Sequence, residues 1–226
     1  MKRAIALIVP IVACALGLGP ARAGQILTFE GLKNFEPVGD YFNGGMGGLG
    51  SGPGPNYGIT FGRNSLAYIH GQQSGTVTPY PGDPSPPTVL LVWGGPNGPG
   101  AGQPISTIMD DPAGASGALD FYYIAIGRPA TVQIWSGPDG TGTMLASQNY
   151  ATTGTQMGNA AFSPEETLPF SGMAESVVFR GGNDQLALDN IAFINVVPEP
   201  SAWISLATGL TCSYLFHVRR RKGSAP

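Results

Sequence analysis

Glycine or proline interrupts this chain at about one position in four, with 35 Gly and 21 Pro among 226 residues. Helix interiors tolerate neither residue well, whereas turns between short strands use both. Between positions 24 and 197 no window carries apolar residues at the helical period. Short apolar or alternating runs recur instead at 25–29, 57–61, 66–69, 88–93, 105–109, 118–126, 130–135, 144–150, 176–179 and 185–196. Gly, Pro, Asn and Asp clusters separate them, which predicts an all-β antiparallel sandwich of the jelly-roll kind. The clearest hairpin joins 130–135 to 144–150 through Ser136-Gly137-Pro138-Asp139-Gly140-Thr141-Gly142, where Pro138 presets φ and Gly140 accepts a positive one. A hydrophobic share of 42% is too high for a disordered chain and supplies a core, and with 11% charged residues the composition argues against a basic nucleic-acid binder.

The two ends read differently from the body. Lys2 and Arg3 precede an apolar stretch over 4–19, and Ala21-Arg22-Ala23 places small residues where a signal peptidase accepts them. Residues 1–23 are therefore expected to be a signal helix that is removed. Ile11-Val12-Ala13-Cys14 leaves open a second route, lipidation at Cys14. At the other end come Val197-Pro198-Glu199-Pro200, an uncharged run over 201–218, and Arg219-Arg220-Arg221-Lys222. The run is near the lower limit for a helix crossing roughly 30 Å of hydrocarbon. The basic cluster would stay on the cytoplasmic side, so the segment orients 24–197 outward. An ordinary single-pass anchor would use the same layout.

The order Pro198-Glu199-Pro200, transmembrane helix, arginine cluster resembles the PEP-CTERM sorting signal of Gram-negative bacteria. The resemblance covers 198–226. It implies an exosortase-type membrane protease as processing partner and a transient inner-membrane anchor. Residence at the cell surface or in the exopolysaccharide matrix would follow.

Taking both ends away changes the charge. The chain as a whole carries −3, but the body 24–197 keeps only Lys33, Arg63, Arg128 and Arg180 against 13 of the 14 acids, a net −9. An acidic body disfavours nucleic acid and favours cations. Both cysteines, Cys14 and Cys212, lie in the ends, so no disulfide can hold the body together.

Three strings in the body, Thr28-Phe29-Glu30-Gly31-Leu32, Ala130 to Trp135, and Ala187-Leu188-Asp189-Asn190-Ile191-Ala192-Phe193, resemble PEP-CTERM ectodomains. The last is also similar to carbohydrate-binding jelly rolls of the galactose-binding-like type. Strand alternation puts Asp189 on the side of Ala187, Ile191 and Phe193. If that side is the core, the carboxylate needs hydrogen-bond donors or a cation. The resemblance implies a structural Ca²⁺ held by Glu30 and Asp189. The residues alone equally allow Asp189 to cap a loop through backbone N–H groups. Trp135 shares the polar face of its strand with Thr131 and Gln133, where it could stack on a sugar or cover a sheet edge.

Enzyme signatures are sparse. His70 is the one histidine of the body, and no Gly-x-Ser-x-Gly elbow occurs. Gly45-Met46-Gly47-Gly48-Leu49-Gly50 matches G-x-G-x-x-G literally, but no helix pattern follows it. The sequence thus points to a non-enzymatic exported surface or matrix protein. A glycan-binding module is the alternative, and a matrix polysaccharide hydrolase a more distant one.

Overall fold

A computed structural model describes residues 25–72, 75, 80–156 and 159–194. The signal segment with Ala21 and Ala23 lies outside them, as do Pro198-Glu199-Pro200, the run 201–218 and Arg219 to Arg221. No helix among the described residues is long and apolar enough to cross a membrane.

Among the described residues, nine antiparallel strands form one hydrogen-bonded sheet. They are β1 Glu36–Pro37, β2 Thr60–Phe61, β3 Ser65–Ile69, β4 Thr88–Val92, β5 Pro104–Ala125, β6 Ala130–Gly137, β7 Thr141–Tyr150, β8 Glu166–Gly182 and β9 Leu186–Ile194. The order across the sheet is β1-β3-β4-β9-β5-β8-β6-β7, with β2 on the first part of β5. Where the sequence suggested a sandwich of separate short strands, β5 and β8 run long and serve both halves of the sheet. β5 changes neighbours along its length. Its residues 109–110 pair with β2, 118–125 pair with β9, and β8 follows it on the other side. Register shifts between Asp110, Ala115 and Gly117 mark where it bends, and Gly114 and Gly117 take φ of 74° and 106° there. The segment 25–29, expected as a strand, contributes only the bridge Leu27↔Ile191.

One face of the sheet encloses the main core, to which every strand but the short β1 contributes, with Phe29, Phe121, Phe179, Ile134 and Leu188 among its fully buried members. Each such side chain contributes about 1.5–3 kcal/mol on burial. A second, smaller core lies on the far side of β4, β9 and the end of β5. Val89, Leu91, Ile124 and Ala187 meet Tyr80, Ala160 and Phe162 from the covering loops. That double cover explains the unbroken apolar run of β4, all five of whose residues are buried. The 136–142 turn forms as read from sequence, with a single 3-10 turn Pro138–Gly140 and both Asp139 and Gly140 at positive φ.

Candidate functional site

The feature that organises the site is a bulge in β9. Tyr122 of β5 opposes Asp189 and Asp120 opposes Ala192, so one more residue is spanned on β9 than on β5. Asn190, at φ 48°, absorbs the extra length, as an asparagine can. The face assignment read from strict alternation changes accordingly. Leu186 and Leu188 point into the main core and so does Ile191, which leaves Asp189 on the side of Ala187 and the second core. Asp189 therefore does not share a face with Ile191 and Phe193.

On that side Asp189 is fully buried. Its Oδ2 accepts from the Ser85 backbone N–H (3.1 Å) and from Ser85 Oγ (2.6 Å), so it does cap the loop 80–87. No N–H or O–H of the protein meets its Oδ1 or either oxygen of the adjacent Asp83 at full hydrogen-bond geometry, although the Ser85 backbone lies close to Asp83. The two carboxyls face each other within hydrogen-bonding reach. Burial, and the nearness of Asp83, push the Asp189 carboxyl up to about 8. Burial pushes Asp83 upward too, against the pull of Asp189 and the Ser85 backbone. Two carboxyls in this position either share a proton or hold a cation between them.

Glu30, the other acid of the expected calcium pair, grips the next residues of the same segment. Its Oε1 accepts from Thr88 N–H (2.8 Å) and its Oε2 from Thr88 Oγ1 (3.2 Å). Both of its oxygens thus have protein donors, whereas Asp83 and Asp189 together present three that do not. The carboxyl oxygens that lack protein donors are those of Asp83 and Asp189, and Glu30 is not among them. Among the described residues no group of three or more His, Cys, Asp or Glu side chains is arranged to hold a metal.

The open side of the bulge is a cleft of about 380 Å³, lined by Ile26, Asp120, Tyr122, Glu165, Asn190, Ala192 and Ile194. That volume is in the range of small-ligand sites. Tyr122 is half-buried, while its neighbour Tyr123 turns into the main core, as adjacent strand residues must. Asp120 Oδ1 is shut from solvent without a donor, and none of the lining residues is basic. Ser85 ties the two sides together, with its Oγ 2.8 Å from Asn190 Oδ1. Four of the six buried, unpartnered side-chain atoms among the described residues belong to Asp83, Asp120 and Asp189 around this one bulge.

Trp135 stands elsewhere. It is half-buried on β6, opposite Met144 of β7 and Ser176 of β8, with its indole N–H buried and unpartnered. It does not line the cleft. The G-x-G-x-x-G string closes a structural loop. Glu36, fully buried, accepts from the backbone N–H groups of Lys33 (2.7 Å), Leu49 (2.8 Å) and Ser51 (2.9 Å) and from Ser51 Oγ (2.5 Å). Burial pushes this carboxyl up, but those four bonds outweigh it and hold it below the usual carboxylate range. Within the string the Leu49 N–H goes to Glu36, and those of Gly45, Gly47, Gly48 and Gly50 go to backbone carbonyls, so these donors are already used inside the protein.

No family model matches the chain, and no curated protein does. Among solved structures, two variants of a family 29 carbohydrate-binding module align over 76% of this chain and 91% of theirs. Their identities are 11% and 10%, and their TM-scores 0.38 and 0.37. A cleaved adhesin domain of Lys-gingipain from Porphyromonas gingivalis aligns over 47% of this chain and 71% of its own, at 16% identity and a TM-score of 0.33. Likenesses this slight do not decide between functions.

Proposed function

We propose that this is an exported, non-enzymatic surface or matrix protein whose sheet binds extracellular polysaccharide in the cleft at the β9 bulge. The observation that supports this reading is the cleft itself. It sets a half-buried tyrosine ring beside two carboxylates and an amide, and leaves one oxygen of Asp120 without a donor from the protein. A sugar offers what such a site lacks: an apolar face for the ring of Tyr122 and hydroxyl donors for Asp120, Glu165 and Asn190. Export and sorting rest on the terminal signals, with signal peptidase acting after Ala23 and an exosortase-type protease near Pro198-Glu199-Pro200. A divalent cation, Ca²⁺ by the hardness of its oxygen donors, would be held by Asp83 and Asp189 with backbone carbonyls completing the shell. Bound there it would neutralise the buried pair and fix the loop 80–87 against β9.

The binding reading is tested by titrating the purified protein with a panel of neutral and charged oligosaccharides. Saturable binding that Tyr122→Ala abolishes and Trp135→Ala leaves intact supports it. Absence of binding to every sugar, or loss only on Trp135→Ala, refutes it. Release of new reducing ends during the titration would instead reveal a hydrolase. For sorting, replacing Pro198-Glu199-Pro200 with alanines should trap a longer, membrane-bound form. An unchanged mature mass and location would mean that the tail is an anchor only.

A further inference from the structure

Every charge at the β9 cleft has one sign. Asp120 and Glu165 line it, and none of the lining residues is basic. The register explains how the two acids are set. Asp120 and Tyr122 are two apart on β5 and share a face. Phe121 pairs with Glu166 at the start of β8, which places Glu165 at the register position opposite Tyr122. The tyrosine thus has one acid along its own strand and another across from it. Asp120 Oδ1 is closed to solvent without a donor, so this oxygen is met neither by water nor by the protein. None of the body's four cations answers it. Lys33 Nζ donates to the Leu49 carbonyl and Arg128 Nε to the Gly102 carbonyl. Arg63 and Arg180 lie beside Thr107 and Thr131, at the other ends of β5 and β8. The cleft is left with acceptors and no positive charge of its own.

We infer that the sugar taken by this cleft is an amino sugar with a free ammonium group, held between Asp120 and Glu165 while its ring lies on Tyr122. This assignment rests on the polysaccharide reading of the cleft and adds the charge class of the ligand. An ammonium brings three N–H donors and no acceptor, so it suits a lining of acceptors better than a hydroxyl, which brings one donor and two lone pairs. Hydrogen bonds from a cation to a carboxylate are about twice as strong as neutral ones, and the face of Tyr122 attracts a cation set over it. A uronate or a sulfated sugar would bring its anion against Asp120 and Glu165 and be repelled. N-acetylation of the same amine removes the charge and two of the three donors, while leaving the sugar ring unchanged.

Isothermal titration of the purified full chain with three probes tests this: a chito-oligosaccharide with free amines, its fully N-acetylated counterpart, and an oligolysine of equal charge. At a pH where the amine is protonated, the free-amine sugar should bind about ten-fold tighter than the acetylated one. Oligolysine, which offers Tyr122 no sugar face, should bind about ten-fold more weakly than the free-amine sugar. Asp120→Asn with Glu165→Gln keeps acceptors and removes the charges, so the preference should shrink to within about two-fold in a protein still folded by circular dichroism. Should that pair unfold the chain, Glu165→Gln alone, at an exposed position, should cut the preference about three-fold. Asp40→Asn with Asp139→Asn makes the same change of net charge at exposed positions outside the cleft and should leave the preference as in the wild type. Equal or tighter binding of the acetylated sugar overturns the assignment but leaves the cleft a sugar site. A preference that survives in the cleft variants, or that the Asp40 and Asp139 variant abolishes, overturns it by assigning the effect to overall charge. Oligolysine that binds as tightly as the free-amine sugar overturns it in favour of a basic polypeptide. Binding of neither sugar removes the polysaccharide reading itself, and the assignment with it.

Discussion

Glu36 and Asp189 are both completely buried carboxylates, and the chain treats them in opposite ways. Around Glu36 the loop 43–56 is wound so that three donors, with the Lys33 N–H as a fourth, reach two oxygens. Around Asp189 two donors from Ser85 reach one oxygen, and the other faces Asp83, a second acid. A buried carboxylate with a full set of donors acts as structural cement. One with an unmet oxygen beside a like charge is costly unless something binds it. The same backbone vocabulary of glycine turns and bulges serves both regions, and donor supply alone separates a fastening from a site.

The sharpest way to break the comparison is to remove each carboxylate. Glu36→Ala strands three backbone N–H groups and Ser51 Oγ, and should cost about 4 kcal/mol in denaturant unfolding, enough to leave the loop open. Gly47→Ala attacks the same fastening from outside. A Cβ there would sit 2.6 Å from Glu36 Oε1 and from Leu32 Cδ2, so a loss of about 2 kcal/mol is expected. Asp189→Asn should behave in the contrary sense. Without calcium the folded chain must keep on Asp189 a proton that the unfolded chain releases, a cost the amide does not carry, so stability at neutral pH should be unchanged or higher by about 1 kcal/mol. With calcium present, the wild type alone should gain melting temperature. A wild-type gain that Asp189→Asn retains would break the assignment of Asp83 and Asp189 to a cation.

The pH dependence should separate the two carboxyls by sign. Glu36 titrates lower in the folded than in the unfolded chain. Its contribution is therefore present above the ordinary carboxylate range and is lost as pH falls through its depressed folded value. Asp189 is raised to about 8, so the folded state holds its proton longer, and calcium-free protein should lose stability as pH rises from about 4 to about 8. Thermal melts from pH values below the ordinary carboxylate range up to about 8, with chelator and with calcium, check both limbs. Calcium should flatten the upper limb, and Glu36→Gln should flatten the lower one.

Much of this was legible in the sequence, for identifiable reasons. The 136–142 turn carries its geometry in Pro138 and Gly140, and the runs at 88–92 and 130–135 are apolar enough to force strands. The stretch Asp110 to Gly117 reads as a turn, yet it continues β5 through a bend, because pairing with β8 on both sides outweighs the local signal of Pro112 and Gly114. Asp189 stood out as an acid in an apolar strand, but the bulge at Asn190, which decides its face, is visible only once β9 lies against β5. Asp83, between Gly82 and Pro84 in a loop, carries no local mark at all, and tertiary packing alone brings it to Asp189. Tyr122 could have been found, since one member of the Tyr122-Tyr123 doublet must face away from the core.

The smallest expected loss to the fold falls on the open side of the bulge, where Tyr122→Ala should lower polysaccharide affinity at least ten-fold and, because the ring also packs on the second core, cost about 1–2 kcal/mol of stability. Isothermal titration of wild type and Tyr122→Ala with the best oligosaccharide of the panel tests the central claim most directly, that the acceptors left unmet around the β9 bulge belong to a ligand site. The wild type should give a saturable isotherm, Tyr122→Ala a loss of at least ten-fold, and Asp120→Asn a comparable loss. A wild-type isotherm that both substitutions leave unchanged would contradict it.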